Sequence, residues 1–341
     1  MNPILAALAA ALLFGASTPA AKTLAVEMHP VLLAGLLYAG SGLGLSAWLA
    51  VRRGGSMRLQ RSELAWLAGA VASGGVVAPV LLMLGLAATG AAAASLLLNL
   101  EGVFTALLAW FAFKENFDRR IALGMALIVA GGAVLSIEPA ALGGVSFGAL
   151  AVALACLAWA LDNNLTRRIS AGDATTIAAV KGVVAGLVNL AIAAALGAGW
   201  PGVTAAAVAG LIGLFGYGVS LALFVVALRG LGAARTGAYF STAPFVGVAL
   251  SLAVLGETPD AAFWIAAALM AAGVWLHLTE RHEHEHVHAP TEHEHPHTHD
   301  VHHRHEHDFD WDGLEPHSHP HRHGRMVHSH PHYPDIHHRH H

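Results

Sequence analysis

The sequence has little charge for its length. Of its 341 residues only 12% are Asp, Glu, Lys or Arg, whereas 55% are hydrophobic. A soluble domain has about 25% charged residues. Apolar runs of about 18 residues or more are long enough to cross the hydrocarbon core of a bilayer as helices. The composition therefore excludes a soluble globular protein, and nothing in the charge distribution indicates nucleic-acid binding.

Cysteine is almost absent as well. Cys156 is the one cysteine, and it lies inside an apolar run. A disulfide framework is excluded, and the residue is expected to act as a small buried hydrophobe. The sequence also has no nucleophile–base pair, phosphate-binding loop or zinc-hydrolase spacing. We therefore predict no enzyme activity and no required cofactor.

Histidine is abundant, but only after Glu280. The segment 281–341 holds 23 of the 25 histidines. Residues 1–280 carry 13 Lys and Arg against 11 Asp and Glu, whereas 281–341 carries 5 Arg against 11 Asp and Glu. The acidity of the chain therefore belongs to this tail. Frequent prolines and few large apolar residues predict that the tail is disordered.

The tail repeats the pattern His-x-His. Neutral imidazole binds zinc, nickel and cobalt, and a flexible chain can bring four rings around one ion. A low-complexity tail that binds metal only in the test tube stays open as the alternative. The predicted ligands are His282, His284, His286, His288, His293, His295, His297, His299, His317, His319, His321 and His323.

The body of the chain divides into ten apolar segments. Each must be helical, because backbone groups in lipid need hydrogen-bond partners within their own segment. The predicted spans are 3–21, 30–51, 64–88, 90–113, 119–138, 145–166, 174–196, 203–228, 233–255 and 260–279. The first could pass for a signal peptide, but no basic residue precedes it.

The connecting loops alternate in charge. Eleven Lys and Arg lie in the even-to-odd loops, and only Lys22 lies in the loops on the other face. Since positive loops stay in the cytoplasm, both termini are predicted to be cytoplasmic, in a multi-pass protein of the cell (inner) membrane.

The second half of the body repeats the first at an offset of 142 residues. Gly90-Ala91-Ala92 aligns with Gly232-Ala233-Ala234, and Glu115-x-x-Asp118 aligns with Glu257-x-x-Asp260. Each half has five spans, so the second copy enters the membrane from the opposite side. Such inverted repeats are typical of secondary transporters, whose substrate site lies between the halves near mid-membrane.

The repeated motifs resemble a known family. Gly124-Met-Ala-Leu-Ile-Val-Ala-Gly131, preceded by Lys114-Glu115, is similar to the closing helix of an EamA-type repeat of the drug/metabolite transporter superfamily, and Gly256-Glu257 with Ala268–Gly273 resembles its second copy. The resemblance implies an all-α membrane protein with ten helices in two inverted repeats, 1–138 and 143–279, followed by the tail 281–341. It also implies export of small metabolites, amino acids or drug-like compounds.

The sequence departs from the family pattern in the fourth span. Gly102 stands where the second half has Pro244. A softer break of the helix is therefore predicted in the first half.

Glu101, near the middle of the fourth span, is the foremost candidate for function. A carboxylate at the bilayer centre is costly unless it is paired, protonated or hydrated, so it marks a candidate site for proton coupling or for a substrate amine. A hydrogen bond or ion pair bridging two helices is the structural alternative. Lys181, in the seventh span, could pair with Glu101 or extend to the cytoplasmic interface.

Other polar residues are weaker candidates. Asp162 and Asn163, late in the sixth span, could line a wet cavity or end a helix. Asn99 and Ser241 are repeat partners that could face a shared cavity with Tyr239.

Three functions fit the sequence. The favoured one is a metabolite or drug exporter with an accessory tail. The second is a nickel, cobalt or zinc exporter whose tail collects cytosolic ions. The third is a membrane-anchored metal buffer or sensor. The spans offer no mid-membrane histidine, which disfavours a metal pathway. The predicted partners are the lipid bilayer and a small-molecule substrate, with transition-metal ions and a homodimer left open.

Overall fold

A computed structural model describes residues 2–52, 64–113, 119–138, 144–166 and 174–279, and four tail segments at 285–288, 291–297, 317–323 and 326–329. Several of the basic loop residues that predict the orientation lie outside these ranges. So do most of the tail and the side chains of its histidines.

The described body is helical. Its helices are α1 (Pro3–Ala25), α2 (Pro30–Arg52), α3 (Leu64–Ala70), α4 (Ala78–Ala88), α5 (Ala91–Leu97), α6 (Leu100–Phe113), α7 (Arg119–Ser136), α8 (Phe147–Thr166), α9 (Ala174–Ala195), α10 (Val203–Gly213), α11 (Ser220–Phe240), α12 (Ala243–Leu255) and α13 (Ala261–Leu278). The first π segment (Val71–Val77) joins α3 to α4, and the second π segment (Leu214–Val219) joins α10 to α11. The short strands β1 (Ile137–Glu138) and β2 (Gly144–Val145) pair between the two halves.

Nine of the ten predicted spans appear within the described residues as apolar helical stretches long enough to cross a bilayer, and the remaining one, the ninth, contains the shorter helix α12. The eighth and ninth spans meet within α11. The rings of Phe224 and Phe240, both in α11, lie 5.0 Å apart. Sixteen residues of straight helix would separate them by about 24 Å, so the chain reverses direction between them. The second part of α11 and α12 together make the ninth span, which gives the predicted total of ten.

The helices are irregular at corresponding places in the two halves. The π segments occupy related positions in the third and eighth spans. The fourth span is interrupted at Leu98-Asn99, and the ninth at Ser241-Thr242. The helix of the first half is therefore fully interrupted, and the predicted softer break at Gly102 is wrong. The interruption comes before Gly102 and needs no proline, because Asn99 Nδ2 donates to the Leu96 carbonyl oxygen at 2.8 Å.

Helices from the two halves pack through glycine. α2 lies along α9, and α7 lies along α13. A Cβ added at Gly42 would overlap the backbone of Gly182 and Val183, and one added at Gly131 would meet Met270. Without a hydrophobic driving force inside lipid, close approach of small residues is a main source of helix association.

Two charged side chains hold the turn between the third and fourth spans. Lys22 Nζ donates to the carbonyl oxygens of Leu86 at 2.5 Å and Thr89 at 2.7 Å. The Glu257 carboxylate accepts from the backbone N–H groups of Ala91 at 2.7 Å and Ala92 at 2.9 Å. A cation at one helix C-terminus and an anion at the next N-terminus satisfy free backbone groups and complement both helix dipoles. One of the repeated glutamates is therefore a helix cap.

The tail segments form two antiparallel ladders. β3 (Glu285–His288) pairs with β6 (Met326–Ser329), and β4 (Thr291–His297) pairs with β5 (His317–His323). An isolated two-stranded ladder is marginally stable in water. These ladders accord with a tail that has no packed core of its own.

The glycine packing between α2 and α9 can be tested with a matched pair of substitutions. Gly42→Ala should destabilise the protein by about 1–3 kcal/mol, because its Cβ meets the α9 backbone. Gly210→Ala, also in a helix, should change stability by less than about 0.5 kcal/mol, because its Cβ would have no described atom within 4 Å. Thermal unfolding of the purified protein in detergent measures both. Equal effects of the two changes would contradict this account of the packing.

Candidate functional site

The interrupted fourth span carries Glu101 to the middle of the membrane. α5 and α6 together run from Ala91 to Phe113, and Glu101 lies in the first turn of α6. It is therefore about 15–18 Å from either end of the span, at 1.5 Å per residue. The N-terminus of α6 offsets part of the cost of a carboxylate at this depth.

Glu101 faces α8. Its Oε1 accepts a hydrogen bond from Asn163 Nδ2 at 2.9 Å, and the same amide reaches the Thr105 hydroxyl at 3.3 Å. Thr105 lies one turn after Glu101 on α6, and its carbonyl oxygen accepts from Asn164 Nδ2 at 3.2 Å. Within the part of the chain that the structure describes, no Lys, Arg or His forms an ion pair with Glu101.

Lys181 pairs with Asp162 rather than with Glu101. Its Nζ lies 2.5 Å from Asp162 Oδ1, and the two side chains are 16% and 9% exposed. Thr166 completes the group by donating to Asp162 at 2.8 Å. The predicted Glu101–Lys181 pair is therefore wrong. Lys181 Nζ also donates to the Thr166 hydroxyl at 3.2 Å, at the last residue of α8, and the alternative that it extends to the interface stays a prediction. Consecutive residues on a helix point about 100° apart, so Asp162 turns toward α9 while Asn163 turns toward α6.

The first π segment is stabilised by side chains from three helices. The Gly74 carbonyl oxygen accepts from the Tyr38 hydroxyl at 2.7 Å and from Trp159 Nε1 at 3.0 Å. The Gly75 carbonyl oxygen accepts from Asn189 Nδ2 at 2.9 Å. A π segment leaves backbone carbonyls without their usual helical partners, and such segments are frequent at functional sites. The irregular backbone is tolerated here because it is buried in protein.

Aromatic rings connect this region to the second half. The ring centroid of Tyr217, in the second π segment, lies 5.7 Å from that of Tyr38 and 5.9 Å from that of Phe14. Phe14 in turn lies 5.3 Å from Phe240, just before the break of the ninth span. Tyr38 donates a hydrogen bond to Gly74, where an added Cβ would meet the Asp162 carboxylate, and Asp162 precedes the Asn163 that contacts Glu101. Residues of both halves therefore surround one central polar region.

The remaining predicted residues are placed differently. Asn99 is 8% exposed and lies in the first break, and Ser241 lies in the second break. Tyr239 packs against the apolar cluster of Ala6, Ala7 and Ala227. The side chains of the tail histidines are not described. Elsewhere, among the residues searched, no group of three or more His, Cys, Asp and Glu could hold a metal ion.

Tyr38 and Thr105 belong to this region, although the sequence pattern did not select them. A tyrosine or threonine in an apolar span is common and carries little signal on its own. The pair Gly74-Gly75 was the available signal, because adjacent glycines inside a span mark a place where the backbone departs from the α-helix.

Comparison with known proteins assigns the family. The model of the EamA-like transporter family matches residues 1–137 and 146–279. The chain belongs to the EamA-like transporter family. An uncharacterised transporter from Methanothermobacter thermautotrophicus (strain Delta H) is 30% identical over 285 residues, which cover 78% of this chain and 83% of that protein. A solved crystal structure aligns with a TM-score of 0.58 at 22% identity, over 81% of this chain and 95% of the other, and supports the fold.

Membership of the EamA-like family gives the general function. The protein is a multi-pass membrane transporter of small substrates. Family and relative both indicate a transporter rather than an enzyme. The polar region between the halves of this EamA-like transporter is the part of the described chain best suited to hold a solute.

The Lys181–Asp162 pair should be structural. Lys181→Met leaves Asp162 as an unpaired, mostly buried carboxylate and should destabilise the protein by about 3 kcal/mol. Adding Asp162→Asn should recover a large part of that loss, because no charge is then left alone. A double-mutant cycle on thermal unfolding measures the coupling. Additive effects of the two changes would show that the pair makes no net contribution.

Proposed function

We propose that this protein is a secondary transporter that exports a small metabolite, amino acid or drug-like compound, and that Glu101 binds the solute or the coupling ion. The observation that supports the proposal is the position of Glu101. It is a mid-span carboxylate at a helix break of the first half, held by a neutral amide of the second half. A carboxylate in that position is costly to keep, which favours a functional role over a purely structural one.

Alternating access fits the distribution of irregular backbone. The breaks in the fourth and ninth spans and the two π segments lie at related positions in the two halves. When one half rocks against the other, some helices must bend without losing backbone hydrogen bonds. At the breaks and in the first π segment, side chains already donate hydrogen bonds that the helix does not make, so bending there costs less.

The orientation of the transporter follows from the loop charges. Eleven basic residues on one face and Lys22 on the other favour cytoplasmic termini in the cell membrane. In that orientation the tail lies in the cytosol. A cysteine introduced in the tail should then be protected from membrane-impermeant thiol reagents in intact cells.

The proposed role of Glu101 predicts a specific loss of transport. In proteoliposomes tested with a panel of amino acids, metabolites and drug-like compounds, Glu101→Gln should lower the rate for the transported solute at least about tenfold, since the charge is removed from the binding region. Its thermal stability should change little, because the glutamine oxygen still accepts from Asn163.

Glu27→Gln is the matched control. Glu27 is an exposed carboxylate in the turn between α1 and α2, and its neutralisation should leave transport unchanged. Full transport by the Glu101 variant would overturn the proposed site.

A second function, transition-metal binding, is supported for the tail. The backbone register of β4 and β5 sets His293 opposite His321, His295 opposite His319 and His297 opposite His317. The backbone register thus pairs six histidines of the two segments. Zinc, nickel and cobalt accept imidazole ligands of this kind.

Removal of 281–341 should separate the two functions. The truncated protein should lose high-capacity zinc and nickel binding in equilibrium dialysis, because it retains only His29 and His277. Its transport in metal-free buffer should match that of the full chain, since the body contains both repeats. Undiminished metal binding after truncation would place the metal site in the body, as the alternative of a metal exporter requires.

A further inference from the structure

We propose that the transported solute carries a positively charged amine, and that this amine pairs with Glu101. The inference rests on the proposed function and names its substrate class. The observation behind it is that the two central carboxylates, Glu101 and Asp162, have different surroundings.

The charges of the central region do not balance. Asp162 is neutralised by Lys181 and accepts a further hydrogen bond from Thr166. Glu101 has only the uncharged amide of Asn163, on Oε1, and no described group donates to its Oε2. With Glu101 ionised, these three charged side chains sum to one negative charge. A carboxylate held away from water is stabilised most by a cation brought to it.

Glu101 and its hydrogen-bond partner are both accessible. Glu101 is half-buried, and Asn163 is exposed on the facing helix. The carboxylate and the amide are therefore not fully enclosed by packed side chains.

The surrounding groups suit an ammonium and oppose an anion. The hydroxyl of Thr105 can accept a second hydrogen bond from an amine bound at Glu101. A carboxylate or phosphate solute would instead meet the like charge of Glu101, and Asp162 is the residue next to Asn163 on the facing helix. Repulsion of the wrong charge gives selectivity as effectively as attraction of the right one.

Three probes of equal ring and similar chain length test the inference. They are 2-phenylethylamine, a cation, 2-phenylethanol, which is neutral, and 3-phenylpropionate, an anion. Binding is measured as the ligand-dependent rise in unfolding temperature of the full-length protein in detergent. The amine should raise that temperature at the lowest concentration. Glu101→Gln should weaken its apparent affinity at least about tenfold.

A matched variant shows whether a loss of amine binding is specific to Glu101. Glu27→Gln should bind the amine like the unaltered protein, and both variants should unfold at similar temperatures without ligand. The inference is overturned if the amine gives no shift, if the anion or the alcohol binds equally well, or if Glu101→Gln binds the amine normally.

Transport measurements distinguish this inference from the proposed function. If proteoliposomes carry a neutral or anionic solute, and Glu101→Gln abolishes that transport, the proposed function holds and the amine is excluded. If no transport depends on Glu101, the proposed site itself fails.

Discussion

Backbone hydrogen bonding in lipid is the constraint on which this structure depends. A spanning helix satisfies its own N–H and C=O groups, so every departure from the helix must find partners elsewhere in the protein. Here the departures are concentrated in the fourth and ninth spans and in the two π segments. In the first π segment Tyr38, Trp159 and Asn189 supply the missing donors. The side chains that stabilise these carbonyls are therefore the ones that border the central region.

The same constraint explains the second of the repeated motifs, Glu257-x-x-Asp260; the first lies outside the described residues. Asp260 caps α13 by accepting from the Phe263 N–H at 2.9 Å. Glu257 instead reaches across to the first half and caps α5. One motif thus serves its own helix and a helix of the other half. The cap that Glu257 of the second half gives to α5 of the first half ties the two repeats together at a point away from the central region.

The sequence predicts most of the fold but fewer of the contacts at the candidate site. Apolar run lengths, loop charges and the offset of 142 residues predicted ten helices because each is a local or averaged property. The partner of Lys181 depended on which face of α8 meets α9, and no single sequence reports that rotation. The sequence also does not mark the break at Asn99, because no proline lies there and the asparagine side chain bonds to a backbone carbonyl instead.

The contrast between Glu101 and Asp162 shows how structure assigns roles that composition cannot. Both are carboxylates in apolar spans, and the sequence alone shows only that each costs free energy to place there. Asp162 has a cation and a hydroxyl within 2.8 Å, so its cost is offset inside the protein. Glu101 has one neutral donor among the described residues, so the cost of its charge is offset only in part. In a transporter, the solute or the coupling ion is the simplest source of a positive charge to pair with Glu101, because only these arrive and leave in each cycle.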